Sequence, residues 1–209
     1  MSRGLGDVYK RQVSELAKTG KPVIALVMCG RPVIFNEIRE HADAVLCTWW
    51  LGSEAGNAIC NVLWGEYNPS AKLPMTFPAH VGQIPIYYQN KSTGRPTALK
   101  QTYKASYIDA STEPAYPFGY GLSYTDFGYS DLKLLPGKAA GVHTEVSVKV
   151  TNTGKCAGEE VVQLYVQDKV ASVTRPIKEL KGFRKIHLNV GESLSLIHIS
   201  EPTRHSLIS

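Results

Sequence analysis

The sequence predicts two successive folds, an α/β layer followed by an all-β sandwich, and three observations predict them. Two continuous apolar runs, PVIALVM (residues 22–28) and AVLCTWW (residues 44–50), flank a stretch with apolar residues at intervals of four. Strands of a parallel sheet covered by helices on both faces have this composition. Beyond Phe127 the pattern switches to alternation, apolar against polar, with period two, which is the pattern of half-buried antiparallel strands. Between the two regimes residues 76–117 carry prolines at 78, 85, 96, 114 and 117, many tyrosines and no sustained period. A long segment of that kind crosses a surface or serves a site.

The elements follow in order. VSELAKTGK supplies the last turns of a helix, with Lys18 in the final turn and Gly20 at its stop. The first apolar run is a strand. Ile34, Ile38 and Ala42 then mark a short amphipathic helix, and the second run is another strand. Strand, crossover helix and strand make a βαβ unit, so Pro22–Trp50 should hold two parallel strands. Ser53 is the expected N-cap of the next helix, about Glu54–Trp64. Its stripe is Ala55, Ala58, Ile59, Val62 and Leu63, and Gly65 and the Asn68-Pro69 turn end it.

YPFGYGLSYTDFGY (residues 116–129) threads three glycines between six aromatic rings and sits where the period changes. It is expected to divide between the two folds. Pro117, Phe118 and Tyr120 should pack on the α/β side, while Tyr124, Phe127 and Tyr129 lead into the sandwich. Four strands are expected there: YSDLKLL, HTEVSVKVTNTG with Val146, Val148 and Val150 inward, EEVVQLYVQD with Val162, Leu164 and Val166 inward, and IKELKGFRKIHL. The expected organisation is therefore an α/β part at 13–80, an irregular aromatic linker at 81–126 and a partial β-sandwich at 127–193. A full seven-stranded sandwich takes about 100 residues, so unpaired edges and a tendency to aggregate are expected.

Composition narrows the function. The chain of 209 residues is 43% apolar and 20% charged, the balance of an ordinary globular protein. Its net charge of +5 owes a good part to residues 1–12, where Arg3, Lys10 and Arg11 outweigh Asp7. The rest mixes Lys and Arg with Asp and Glu and offers no clustered basic face, so nucleic acid is not an expected partner. No run reaches the roughly 20 apolar residues of a membrane span, and no membrane partner is expected. Cys29, Cys47, Cys60 and Cys156 lack C-x-x-C spacing and are expected to be reduced, the first three among apolar segments. The six histidines lack metal-ligand spacing, so no metal and no cofactor is expected.

Three residues stand out as candidates to line a cleft. Glu54 follows a parallel strand at a helix N-terminus, where open α/β sheets bind ligands. A glutamate there is also what the helix dipole favours, by about 0.3–1 kcal/mol, and the dipole favours its ionised form, whereas a general acid must hold its proton. Trp49 and Trp50 invite stacking on the apolar face of a sugar. Alternation along a strand lets at most one of them face a given side, so one is expected in the core, and the other is in a position to reach the cleft. No residue here is expected to be catalytic: GYGLSYTDF lacks the G-x-S-x-G frame, and GSEAGNA lacks the ending of a phosphate loop.

The motifs GKPVIALVMCGRPV, HADAVLCTWWLGSEAGNAICNVLWGEYNPSAKLPMTFP, VGQIPIYY, TGRP, YPFGYGLSYTDF, VTNTGKCAGEEVVQLYVQD and SVTRPIKELKGF occur in that order. Together they resemble the C-terminal part of glycoside hydrolase family 3, in its bacterial β-glucosidase and β-xylosidase branch. The resemblance covers about residues 13–193. It implies the C-terminal part of an α/β sandwich domain followed by an incomplete fibronectin type III-like domain, both downstream of a (β/α)8-type barrel. It also implies retaining hydrolysis of β-linked oligosaccharides or aryl glycosides. The nucleophilic Asp then lies on the barrel and the acid/base Glu on a loop before the GKPV strand, neither of them among these residues. A periplasmic or extracellular location is implied in the same way, and the oligomeric state is left open. Residues 1–12 and LSLIHISEPTRHSLIS (residues 194–209) depart from the family and look like translated sequencing-adapter read-through, so neither tail is expected to carry structure. A non-catalytic carbohydrate-binding or adhesion module built on the sandwich is the alternative, since fold alone does not fix function.

Overall fold

Ile24–Val27 (β1) and Ala44–Cys47 (β2) pair in parallel, Ile24 opposite Ala44 and Val27 opposite Cys47, with the helix Asn36–His41 (α2) crossing between them. The computed structural model describes residues 4–92, 107–108, 110–136, 144–169 and 171–200. It divides into two compact units: residues 1–64, 73–120 and 173–175 form one, and residues 65–72, 121–172 and 176–209 the other. These cuts fall elsewhere than at the expected bounds of 80 and 126. No helix among the described residues is long and apolar enough to cross a membrane.

In the first unit a helix over Gly4–Ala17 (α1) lies against α2. It begins inside residues 1–12, which were expected to carry no structure. The apolar runs make shorter strands than expected. Ile24 is 50% and Leu26 42% exposed, while Ala25 and Val27 are half-buried. A two-stranded ribbon covers only one face, so β1 shows alternation in place of the predicted burial on both sides. The helix Ala55–Leu63 (α3) follows β2. Its half-buried stripe is Ala55, Ile59, Val62 and Leu63; Ala58, expected in it, is exposed. Glu54, not Ser53, occupies its N-cap, and no side chain caps the helix there.

The core of this unit is aromatic. Phe77 is 1% exposed and meets Phe35 and Trp49 edge-on, each at 5.7 Å between centroids. Phe35 also stacks on Tyr116 at 5.8 Å, and the Arg39 guanidinium lies 5.9 Å from the Tyr116 ring. Burial pushes the Tyr116 hydroxyl above its ordinary range, with Arg39 opposing. Backbone bonds tie residues 73–77 to 116–120: Phe77 N donates to Tyr116 O, Tyr116 N to Phe77 O, and Gly119 N to Leu73 O. Phe118 stacks on Tyr88 at 4.2 Å. Much of the segment expected to be a linker is thus part of the α/β unit. Gln83, 5% exposed, holds it: its Oε1 accepts from Ala79 N, and its Nε2 donates to Ser111 O and Glu113 O.

The second unit is a sandwich of two antiparallel sheets. Phe127–Pro136 (β3), Thr144–Asn152 (β4) and Ser193–Ser200 (β7) form one in the order β3, β4, β7, while Gly158–Val166 (β5) and Glu179–Leu188 (β6) form the other. Val150, Ile186, Leu188 and Leu196 are buried together, with Phe127, Val148 and Val162 packed on them, so both sheets feed one core. β7 corrects the expectation that residues 194–209 carry no structure. Ser193–Ser200 pairs with Thr144–Thr151 of β4, and Leu196 is 8% exposed, because SLSL alternates in phase with β4. Val166, expected inward, is 38% exposed, since the β5–β6 register shifts between Leu164 and Tyr165 and ends the alternation.

Candidate functional site

The chain leaves both parallel strands on the same edge, and three of the singled-out residues follow β2 there. Thr48 is buried; its N–H and hydroxyl both donate to Val27 O, at 3.0 and 3.4 Å, which closes the strand end against β1. Trp49 then has φ +54°. A bulky residue in the left-handed region is an outlier that surrounding packing must impose, at a cost of about 1–3 kcal/mol. The packing is visible: the Trp49 indole rests on Phe77.

This backbone reversal separates the two tryptophans. Trp49 joins the aromatic core, whereas Trp50 is 76% exposed. The division expected from strand alternation is therefore present, but its cause differs, since β2 has already ended at Cys47 and the positive φ turns the chain. Trp50 lies against Gly30, at the corresponding end of β1. A Cβ at Gly30 would collide with the Trp50 indole nitrogen, so the absence of a side chain there makes room for the ring. The result is an exposed indole at the carboxyl ends of two parallel strands, the position at which open α/β sheets take ligands.

Glu54 stands five residues past Trp49, exposed, inside the turn that the bond from Ala55 N to Gly52 O closes. Its carboxylate accepts from the Asn57 side-chain amide. An exposed carboxylate held by its own helix can offer a polar contact to a hydroxylated ligand. Among the described residues no group of three or more His, Cys, Asp or Glu side chains could hold a metal ion.

Sequence reasoning passed over a polar cluster in the sandwich unit, centred on residues 65–72. Asn68 Oδ1 accepts from Ser123 Oγ and Tyr124 N, and its Nδ2 donates to Ala157 O at 3.1 Å. Tyr67 donates to Glu159 Oε2 at 2.7 Å, and Lys185 Nζ lies 2.6 Å from the same oxygen. The Lys185 bond first, and then that from Tyr67, holds the Glu159 carboxyl below its ordinary range. Next to it Glu160, 8% exposed, pairs with Lys72 at 3.2 Å and accepts from Tyr129 at 3.0 Å. Burial, reinforced by Glu160, pushes the Tyr129 hydroxyl up, so it stays a donor. Asn152, fully buried, accepts from Thr125 Oγ1 and donates to Leu188 O. The Asn-Pro turn was the available signal for this segment, but it points only to the end of α3.

Comparison with known proteins shows what the chain is similar to. The model of the glycosyl hydrolase family 3 C-terminal domain matches residues 5–124, and that of a fibronectin type III-like domain matches residues 160–197. A periplasmic β-glucosidase of Salmonella typhimurium is 50% identical over 183 residues, covering 86% of this chain and 24% of the relative. A β-xylosidase of Formosa agariphila is 47% identical over 190 residues, covering 90% of this chain and 26% of the relative. The crystal structure of a β-glucosidase from Listeria innocua in complex with glucose superposes with a TM-score of 0.87 at 39% identity, over 92% of this chain and 27% of that one. The chain thus spans about a quarter of the length of the relatives it matches.

Proposed function

Because the chain belongs to glycoside hydrolase family 3, we propose that it is the C-terminal part of a retaining, exo-acting β-glycosidase that hydrolyses terminal β-glucosides or β-xylosides. Both activities occur among the names of its relatives. Retaining hydrolysis needs two carboxyl groups about 5 Å apart across the scissile bond, and in this reading both lie outside these residues, with Glu54 a contact residue at the start of α3. Its part is to shape and wall the sugar cleft. A periplasmic or extracellular location belongs to the same proposal, supported by the relative named as periplasmic.

The observation that carries the assignment to a site is Trp50, exposed over Gly30 beyond a strained Trp49. An indole fixed in this way presents a flat apolar face at no further ordering cost, and a pyranoside stacks on such a face. Trp49 supports it from the core, and Glu54 offers the polar contact.

Titration of the chain with cellobiose and xylobiose, followed by tryptophan fluorescence, tests this. Weak saturable binding is expected. Trp50→Ala should weaken it about tenfold, the effect of losing some 1.4 kcal/mol, whereas Trp64→Ala, equally exposed at 77%, should leave it unchanged. Equal loss in both variants would remove Trp50 from the cleft. Sub-millimolar binding by residues 127–193 alone would favour the carbohydrate-binding or adhesion module instead.

A further inference from the structure

The Trp50 ring has a defined orientation on its seat. The three heavy atoms nearest to a Cβ built at Gly30 all belong to the indole: Nε1 first, then Cδ1 at 2.7 Å and Cε2 at 3.2 Å. These are atoms of the five-membered ring. Its N–H edge therefore faces the chain just beyond β1, and the six-membered ring projects away from it, in a residue that is 76% exposed. The φ of Gly30 lies outside the left-handed region, so its φ does not demand glycine. What the position excludes is a side chain, because a Cβ would occupy the place of the indole nitrogen.

We propose that Gly30 is a positioning residue of the sugar site: lacking a side chain, it lets the Nε1 edge of Trp50 turn inward and leaves an apolar platform that takes a pyranose ring by its C–H face. This rests on the reading of Trp50 as a cleft residue and adds what the platform can distinguish. The indole has one polar group, a donor, and that group is turned to the backbone. The outward part of the ring offers a ligand contact area and no hydrogen bond. β-Glucosyl and β-xylosyl rings carry all their substituents equatorially and so share the same axial C–H groups. They differ in an exocyclic hydroxymethyl group at the rim, which an apolar face does not read. Trp50 thus supplies affinity to both sugars, and the choice between them falls to hydrogen-bonding groups other than this ring.

A side chain at Gly30 would drive the indole off its seat. Because most of the ring is already in solvent, it can swing outward, and binding should suffer more than stability. A residue that merely held the fold would show the reverse. The two positions should also be coupled, since without the indole nothing remains for the new Cβ to strike.

The test combines the indole N–H spectrum of the ¹⁵N-labelled chain with titration by cellobiose and xylobiose. Three indole signals are expected, one for each tryptophan, and Trp50→Ala identifies that of Trp50. Gly30→Ala should displace the Trp50 signal and weaken binding of both sugars five- to tenfold. In the Trp50→Ala background the same substitution should change binding by less than twofold. The unsubstituted chain should bind the two sugars within about threefold of each other. A Trp50 signal unmoved by Gly30→Ala would overturn the seating without any sugar present, and would leave the cleft reading of Trp50 standing. Equal weakening in both backgrounds would show that Gly30 acts on the fold and not through the ring, and a preference above tenfold for one sugar that Trp50→Ala removes would show that the platform reads more than C–H contact. No saturable binding by the unsubstituted chain would overturn the cleft reading and this inference together. Should Gly30→Ala unfold the chain, Gly30→Ala/Trp50→Ala decides: it must fold, and an unfolded double variant would overturn the proposal.

Discussion

Phe77→Ala is expected to destabilise the α/β unit by about 3–5 kcal/mol, the range for truncating a fully buried aromatic ring. Phe77 is 1% exposed and is the ring on which both Phe35 and Trp49 rest edge-on. Its removal takes away apolar burial, leaves a cavity, and forfeits two aromatic contacts worth about 0.5–1.5 kcal/mol each beyond burial. The effect should extend to the candidate site. Trp49 holds φ +54° while its indole lies against Phe77, and without that ring nothing in the contact pays for the strain. Denaturant unfolding followed by tryptophan emission should show a lower midpoint, and the native emission should shift to longer wavelength as Trp49 is released. Phe77→Leu, which keeps most of the volume, should cost less than half as much. A loss below 1 kcal/mol for the alanine variant would show that Phe77 is not the centre of this core.

In the sandwich unit the largest effect is expected from Lys72→Met. Lys72 and Glu160 side chains are only 15% and 10% exposed, and their charged atoms are 3.2 Å apart. Removing one partner strands the other charge in a poorly solvated place, which costs about 3–5 kcal/mol; replacing both by apolar groups of similar size is often neutral or better. Lys72 Nζ also donates to Gly121 O at 2.9 Å, and that bond is lost as well. The single variant should therefore unfold at markedly lower denaturant, while Lys72→Met/Glu160→Leu recovers most of the loss despite the orphaned Tyr129 hydroxyl. A double variant as unstable as the single one would mean that the pair itself, and not the stranded charge, holds residues 65–72 on the sandwich.

The sequence carried the architecture in its periodicities. Continuous apolar runs marked β1 and β2 and their parallel pairing, and Val146, Val148 and Val150 marked the inward face of β4. Patterns of this kind are local, each readable within one strand. What escaped was non-local. Gln83 is satisfied by carbonyls 28 and 30 residues away, and Asn68 by groups 55, 56 and 89 residues away. A single polar residue carries no trace of such partners. The fate of residues 65–72, which follow α3 in the chain and pack in the sandwich unit, has the same origin. At the site, the pair Trp49 and Trp50 was legible as one core and one exposed ring, but the left-handed turn between them was not, because it depends on Phe77 in a distant segment. β7 shows the opposite case: its alternation was present in SLSLIHIS and was masked by the unusual composition around it.

The central claim is that this chain walls a glycosidase cleft without supplying its chemistry. The most direct measurement is turnover of an aryl β-glucoside and an aryl β-xyloside by the purified chain, compared with buffer and with Glu54→Gln. The account predicts release of the aryl group at the buffer rate in every case. Turnover well above buffer that Glu54→Gln abolishes would contradict it, and would place a catalytic carboxylate at the start of α3.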